Sequence, residues 1–216
     1  MDLFSLLGKG LIIGFAIAAP VGPIGVLCIR RTLAFGRLHG LLTGLGAATA
    51  DAIYGGIAAF GLTTLSALLV DQRVWLQVLG GMFLIYLGVT TLRAPAAPLD
   101  GSETGHDPAR PRLIGAYLST LLLTLSNPLT ILSFIGVLAG LGVGAGAGDL
   151  WGSLLVVGGV FSGSLLWWLL LSGGVGMLRR RLGAAVLLWV NRLSGLVIGG
   201  AGALALWGGL RALLAG

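Results

Sequence analysis

Six long apolar windows constrain this chain more than any other feature of its sequence. They lie at about residues 11–29, 40–62 (running toward 69), 74–92, 113–140, 151–177 and 193–210. A helix needs roughly 20 apolar residues to cross the hydrocarbon core of a bilayer. Only 9% of the 216 residues are charged, against about 25% in soluble domains. The windows predict an all-α integral membrane protein with six transmembrane helices in one compact bundle.

A polar segment divides the six windows into two sets of three. Residues 94–112 hold four of the seven prolines and three of the seven acids, a composition typical of a flexible linker. We therefore expect a first three-span half over residues 1–93 and a second over residues 113–216, within one membrane domain.

The two halves are expected to be inverted repeats. Because each half has three spans, the second half enters the membrane from the opposite face. Gly81-x6-Gly88 in the third window is loosely echoed by Gly199-x6-Leu206 in the sixth. Two inverted three-helix repeats are a common architecture of secondary transporters.

Lys and Arg residues are distributed unequally between the two sides of the predicted bundle. Ten of the 13 fall on one side and three on the other. Basic loops stay in the cytoplasm, so we expect a multi-pass protein of the bacterial inner (cytoplasmic) membrane with both termini outside. The net charge of +6 is then a topology signal, with no role for nucleic acid. The predicted cytoplasmic loops are 30–39, 93–112 and 178–192.

Two windows are broken by proline at matching places of the two halves. The first break is Ala19-Pro20-Val21-Gly22-Pro23, and the second is Ser126-Asn127-Pro128. A single kink is tolerated in membrane helices, but paired interruptions point to the binding site of a transporter built from repeats. We therefore predict that helices 1 and 4 are broken at these prolines.

Each break is predicted to start a new half-helix near the membrane midplane. Gly22 and Asn127 suit the N-cap position, and Pro23 and Pro128 suit the first helical position. In the predicted topology the two half-helices begin from opposite sides. Their free amides and positive dipole ends would form a site for an anion, such as a substrate carboxylate.

Asp51 is the only acid well inside a window. An acid at the bilayer centre costs at least ~2.5 kcal/mol, so Asp51 should face the bundle interior, with Tyr54 on the same helix face. Asp51 can face the ammonium group of a zwitterionic substrate or carry a coupling proton, and the residues do not decide between these roles. A purely structural carboxyl that holds helices together is the alternative.

The fifth window offers a polar and aromatic face. Ser164 and Trp167 share a helix face and are expected to line a cavity, whereas Trp168 is expected to pack. Small-residue stripes allow close helix packing, either within the bundle or in a homodimer. These stripes are Gly36-x3-Gly40-x3-Gly44, Gly159-x3-Gly163 and Gly195-x3-Gly199.

The sequence lacks the patterns of an enzyme. His39 and His106 fall in or beside predicted cytoplasmic loops, and Cys28 is a lone thiol in an apolar window. No HExxH motif, paired intramembrane carboxylates or Cys/His cluster occurs. We therefore expect no catalytic residues, no metal site and no cofactor.

Several motifs together resemble the LysE/RhtB family of amino-acid exporters. Pro20-Val21-Gly22-Pro23-Ile24-Gly25 resembles the family's N-terminal signature, and Leu125-Ser126-Asn127-Pro128 resembles its Asn-Pro span. Many members have Pro-Gly-Pro in place of the first motif, which leaves the substrate open. Further matches cover most of the chain in order: Gly40-x5-Gly46 followed by Asp51, Gly80-Gly81-x5-Leu87-Gly88, and Ser164-Leu165-Leu166-Trp167.

The resemblance implies secondary active export of amino acids, or closely related zwitterionic metabolites, driven by the proton motive force. The partners would be the amino acid, protons and the lipid bilayer. A small-cation transporter or channel using Asp51 is one alternative, although a divalent site usually wants several oxygen ligands. A non-transporting membrane scaffold is the other. The predicted substrate site comprises Pro20, Gly22, Pro23, Asp51, Tyr54, Asn127, Pro128, Ser164 and Trp167, with Asp51 also coupling protons.

Overall fold

The computed structural model describes residues 3–20, 22–60, 72–93, 112–127, 130, 133–134, 150–178 and 184–215. In these residues the chain forms helices and no strand, and Thr130, Ser133 and Phe134 are also helical. The helices are α1 (Leu3–Ala18), α2 (Pro23–Phe35), α3 (Arg37–Ala59), α4 (Arg73–Leu92), α5 (Leu113–Leu125), α6 (Leu150–Leu178) and α7 (Ala184–Ala215).

Three of the described helices are long and apolar enough to cross a membrane. They are α3, α6 and the part of α7 over Leu188–Leu214. Helices α1 and α2 pass the same test together, as one span bent by 80° at the break between them. Shorter apolar helices cover Gln77–Leu92 in α4 and all of α5. The all-helical membrane class is confirmed, and the six-span repeat arrangement stays a prediction.

Two predicted loops are wrong in their boundaries. In place of a loop at 30–39, α2 continues to Phe35 and α3 begins at Arg37, with Gly36 alone between them. Gly36 has φ 96° and ψ 172°, a backbone that residues with a Cβ atom rarely adopt. The predicted loop 178–192 is helical from Ala184. Of the predicted linker 94–112, only Arg112 is described.

Helices α1 and α6 run in parallel and lie very close together. A Cβ atom at Gly10 would collide with the backbone of Val156, and one at Gly14 with that of Val160. Gly163 of α6 makes the same kind of backbone contact with α1. Small residues are what permit helix backbones to approach this closely. The stripe at 159–163 therefore packs within the chain.

Helix α3 is antiparallel to α6. Gly40, near the start of α3, lies against Ser172 near the end of α6. Gly55, four turns further along α3, lies against Val160, which comes earlier in α6. This register brings the middles of the two helices together, around Asp51. The glycine stripe of α3 also packs within the chain, apart from Gly36, which forms the turn.

Helix α3 is parallel to α5. Gly46 packs against the backbone of Tyr117, and further along α3 the Tyr54 hydroxyl donates a hydrogen bond to the Leu125 carbonyl. Residues later in α3 thus meet residues later in α5. Helix α3 contacts α1, α2, α5 and α6, so it joins both halves of the chain.

Helices α4 and α7 form an antiparallel pair. Gly88 packs against Gly199 and Gly195, and Gly81 packs against Leu206. The third glycine stripe therefore also packs within the chain. A homodimer stays a prediction, because the stripes that suggested it are occupied by contacts inside one chain.

Candidate substrate site

A cavity of about 90 Å³ lies where the break between α1 and α2 meets the end of α5. Both broken segments contribute to its wall, together with the middles of α3 and α6. A cavity of this size has room for several waters. The lining includes Pro20, Gly22, Pro23, Asp51, Thr124, Asn127, Thr130, Ser133 and Trp168.

The break between α1 and α2 forms as the sequence predicts. Gly22 is the N-cap of α2, in an extended conformation, and Pro23 is the first helical residue. The Val26 N–H donates to the Gly22 carbonyl at 3.0 Å, which begins the helical ladder. The predicted break of the first window is confirmed. It places the N-terminus of α2 in the cavity wall, since Gly22, Pro23 and Gly25 line the cavity.

The second break is described on its N-terminal side. Helix α5 ends at Leu125, and the N–H groups of Ser126 and Asn127 still donate back into its last turn. The Tyr54 hydroxyl donates to the Leu125 carbonyl, one of the groups that a helix end leaves without an intrahelical donor. Pro128 lies outside the described residues, so its part in this break stays a prediction.

Asp51 is buried in the cavity wall, with 3% of its surface exposed. The Ser164 hydroxyl donates to Asp51 Oδ2 at 2.6 Å, and Trp168 Nε1 donates to Ser164 Oγ at 3.2 Å. The three side chains form a chain of hydrogen bonds that joins α3 to α6. The sequence-predicted residues Asp51 and Ser164 are thus brought together by the antiparallel packing of their helices.

Three predicted site residues do not line this cavity: Ser164, which hydrogen-bonds to Asp51 of its wall, and the aromatic residues Tyr54 and Trp167. Trp167 packs edge-on against Phe15, with ring centroids 5.5 Å apart. Tyr54 packs against Phe134, with ring centroids 5.7 Å apart. Trp168, which the sequence analysis treated as a packing residue, is the tryptophan in the cavity wall. Adjacent residues differ by about 100° around a helix, and the sequence could not fix which of the two faced inward.

An apolar cluster closes the cavity toward one end of the bundle. On α3 it follows Asp51, and on α6 it precedes Ser164, so it lies beyond the carboxyl on both helices. We call this cluster the apolar layer. It consists of Ile13, Tyr54, Ala59, Phe134, Val156 and Val160, all buried.

A polar cluster closes the cavity toward the opposite end, where α2 and α6 end and α3, α5 and α7 begin. Arg31 is buried there, 4% exposed, and donates hydrogen bonds to residues of α3 and α5. Arg30 donates from Nε to Asn191 Oδ1 of α7 at 3.3 Å. We call this cluster the arginine layer. It consists of Arg31, Thr43, Ser119 and Thr120, while Arg30 and Asn191 lie beside it at the contact with α7.

The sequence analysis missed Arg31 and Thr124 as parts of this region. Arg31 was counted as a loop residue, whereas it lies on the third turn of α2 among other helices. Thr120 and Thr124 are one helical turn apart in a largely apolar window. Polar residues at that spacing share a helix face, which is the signal that would have marked α5 as facing the cavity.

Nothing in the described part of the chain points to metal or nucleophile chemistry. Among those residues no group of three or more His, Cys, Asp or Glu side chains could hold a metal ion. Cys28 is buried and lies near the Gly40 carbonyl. His39 is buried in α3, where its Nδ1 lies 3.1 Å from the Phe35 carbonyl oxygen.

A small cavity among apolar helices, with a buried carboxyl and the start of a broken helix in its wall, is the arrangement expected of a membrane transport protein. A family profile described as "LysE type translocator" matches residues 15–209. The chain belongs to this family, as its motifs suggested, and is a multi-pass bacterial membrane protein.

Curated relatives match most of the chain. A Bacillus subtilis (strain 168) protein named "Putative amino acid efflux protein YcgF" is 33% identical over 159 residues, covering 73% of this chain and 74% of that protein. The Escherichia coli (strain K12) "Uncharacterized membrane protein YahN" is 31% identical over 145 residues, covering 67% of this chain and 63% of that protein. No solved structure matches the chain.

Proposed function

We propose that the protein exports amino acids, or closely related zwitterionic metabolites, across the bacterial inner membrane, driven by the proton motive force. One observation carries this proposal: a buried carboxyl, Asp51, shares a cavity wall with the N-terminus of the half-helix α2. Membership of the translocator family and the name of the B. subtilis relative support export of amino acids.

The substrate carboxylate binds at the start of α2. The first-turn N–H groups of a helix have no intrahelical acceptors, and the helix dipole makes this end positive. Gly22, Pro23 and Gly25 line the cavity, so an anion in the cavity meets that end directly. Pro20 shapes the same wall. Asn127 lies in the cavity wall at the second break. The role predicted for Pro128, the first residue of the other half-helix, belongs to this proposal and falls outside the described residues.

The ammonium group of the substrate, or the coupling proton, binds at Asp51. The Ser164 hydroxyl can donate to a carboxylate or accept from a carboxylic acid, so it can remain hydrogen-bonded to Asp51 in both protonation states. This supports Asp51 as a proton carrier. Tyr54 and Trp167 support the cavity wall without lining it. Tyr54 donates a hydrogen bond to the end of α5, and Trp167 packs against Phe15 of α1.

Inverted repeats fit the pairing of the helices. If the two halves are interchanged, the parallel pair α1 and α6 becomes the parallel pair α5 and α3, and the reverse also holds. The antiparallel pair of α4 with α7 maps onto itself. In the echo between the third and sixth windows, Gly81 corresponds to Gly199 and Gly88 to Leu206, so the contacts Gly81–Leu206 and Gly199–Gly88 are equivalent. This symmetry supports halves at 1–93 and 113–216.

In the proposed orientation the arginine layer faces the cytoplasm and both termini are outside. The test is thiol labelling in a Cys28→Ser background. In intact cells Ser102→Cys, in the linker, should resist a membrane-impermeant thiol reagent, while Gly216→Cys should react. The reverse pattern would invert the orientation.

The transport proposal is tested with the purified protein in liposomes that carry an imposed pH gradient. A panel of radiolabelled amino acids, with the corresponding decarboxylated amines as matched controls, is measured for efflux. We expect one group of amino acids to be carried only when the gradient is present, and their amines to be poor substrates. Equal transport of amine and amino acid would refute the carboxylate site.

A further inference from the structure

Arg31 is held by an unusual set of partners for a charged side chain inside an apolar bundle. Nη1 donates to Thr43 Oγ1 at 3.2 Å, to the Ala116 carbonyl at 3.0 Å and to Thr120 Oγ1 at 2.9 Å. Nη2 donates to Ser119 Oγ at 2.8 Å. Every one of these four acceptors is a neutral oxygen, although the guanidinium is permanently charged.

A neutral oxygen is a weaker partner for a guanidinium than a carboxylate. The two forked N–H groups of arginine fit both oxygens of a carboxylate, and such a bidentate pair adds an opposite charge and a fixed geometry that a neutral acceptor lacks. An ionisable residue within a membrane bundle is by default a candidate for function. The hydrogen bonds of Arg31 therefore satisfy the guanidinium while leaving it able to exchange its acceptors for an anion.

The guanidinium lies between the cavity and the end of the bundle. Thr120, one of its acceptors, is one helical turn from Thr124, which lines the cavity. On α3, Thr43 precedes Asp51 by eight residues, which is ~12 Å along a helix. A solute that leaves the cavity toward the α2–α3 turn has to pass the point where Arg31 ties α2 to α3 and α5.

Helix α2 connects the cavity wall to the guanidinium of Arg31. Its first residue, Pro23, lies in the cavity wall, and Arg31 is eight residues further along the same helix. A movement of α2 that releases the guanidinium from α3 and α5 therefore also moves the half-helix N-terminus proposed to hold the substrate. Arg30, the next residue, faces α7 through Asn191 instead.

We propose that Arg31 is the gate on the cytoplasmic side of the cavity, and that it opens by exchanging its hydroxyl and carbonyl acceptors for the carboxylate of the arriving substrate. Arg31 is then a specificity residue as well as a barrier, because only a solute with an anionic group can replace those acceptors favourably. The inference rests on the proposed export of zwitterions for its ligand, but the position of the gate stands on the geometry alone.

The gate is tested first without transport, in full-length protein. Ala47→Cys in a Cys28→Ser background places a thiol in the cavity wall. Membrane-impermeant thiol reagent is applied to inverted membrane vesicles and, in parallel, to spheroplasts. With Arg31→Gln, labelling in inverted vesicles should accelerate on the order of tenfold, the effect of losing a hydrogen bond to a charged group. Labelling in spheroplasts should not change.

Arg30→Gln is the matched control, since it removes a neighbouring charge that faces α7, and it should leave both labelling rates unchanged. If Arg31→Gln does not fold, Ser119→Ala combined with Thr120→Val keeps the arginine and removes two acceptors, and it should accelerate labelling at the same face. Unchanged labelling in the folded variants, or equal acceleration by Arg30→Gln, would overturn the gate.

The carboxylate exchange is tested by uptake into inverted vesicles. Arg31→Gln should raise the half-saturating amino-acid concentration at the cytoplasmic face on the order of tenfold, with partial recovery in Arg31→Lys. The half-saturating amino-acid concentration at the outer face should stay the same. An unchanged value at the cytoplasmic face would overturn the exchange. If the parent carries no amino acid, the proposed function fails while the labelling experiment still decides the gate.

Discussion

On one side of the cavity the bundle is closed by apolar side chains, and on the other side by hydrogen bonds to a buried guanidinium. In the apolar layer Tyr54, Phe134 and Val160 pack together. In the arginine layer Arg31 joins three helices through Thr43, Ser119 and Thr120 of α3 and α5. Asp51 lies between the two layers.

The two closures respond differently to water. Opening the apolar layer exposes hydrocarbon surface to water, which costs roughly 25 cal/mol of free energy per Å². Water forms no hydrogen bonds with that surface to offset the cost. Opening the arginine layer exposes donors and acceptors that water or a substrate can satisfy. The apolar layer is therefore expected to exclude ions and water, whereas the proposed gate in the arginine layer can open to a polar solute.

The largest effect is expected between the two layers, at Asp51. Asp51→Asn keeps the shape of the side chain and removes its titration. We expect normal membrane insertion and near-complete loss of proton-coupled efflux in liposomes, while Asp51→Glu should retain part of it. If Asp51→Asn had the efflux rates of the parent across the pH range, the carboxyl would be structural. The position of Asp51 between the two layers would then play no part in proton coupling.

A reciprocal pair of substitutions tests the two layers directly. Thr43→Val removes an acceptor from Arg31 and should lower the free energy of unfolding by up to ~1.7 kcal/mol, the upper end for hydrogen bonds within membranes. Labelling of Ala47→Cys from the cytoplasmic face should also accelerate. Stability is measured by thermal unfolding in detergent.

Val160→Thr is the reciprocal change in the apolar layer. Because a threonine hydroxyl can bond the carbonyl one turn back in its own helix, this variant should leave the labelling rate of Ala47→Cys unchanged. Equal acceleration of labelling by both variants would mean that the two layers are equivalent barriers.

The third test concerns Asn127 in the cavity wall between the layers. Asn127→Ala should remove a helix cap worth on the order of 1 kcal/mol, and the amino-acid affinity should fall about fivefold. Binding to the purified protein is measured by calorimetry, and the folded fraction by size-exclusion chromatography. Unaltered affinity in a folded variant would remove the second break from the site.

The smallest effect is expected for Tyr54, whose ring belongs to the apolar layer and whose hydroxyl holds the end of α5. Tyr54→Phe keeps the contact with Phe134 and loses one hydrogen bond, so the free energy of unfolding should fall by about 0.6 kcal/mol, the average for such bonds in membranes. Tyr54→Leu, which also removes the ring, should cost more in the same thermal assay. An unchanged free energy of unfolding in Tyr54→Phe would show that the hydroxyl, and hence the anchoring of α5, contributes nothing.

Local rules explain why the first break could be predicted from the sequence. Gly22 and Pro23 have backbone preferences that suit the N-cap and first turn of a helix whatever surrounds them. Burial of Asp51 was also predictable, since the cost of a charge in lipid applies in any fold. Both conclusions need only a few neighbouring residues.

The arginine layer could not be predicted in the same way. Basic residues near the end of an apolar window are usually loop residues, and Arg30 and Arg31 were assigned to a loop on that rule. Their partners are far away in the chain, since Ser119 is 88 residues from Arg31 and Asn191 is 161 residues from Arg30. Only the tertiary packing of α2 against α3, α5 and α7 brings them together.

The close contact between α1 and α6 also has a consequence for how the protein is made. Gly10 meets Val156, a residue synthesised about 146 positions later. At roughly 5–20 residues per second, the glycine face of α1 waits roughly 7–30 s for its partner. During that time the first helix in the membrane has no native neighbour for this face. The insertion machinery or the lipid has to hold α1 until the ribosome has delivered the second half.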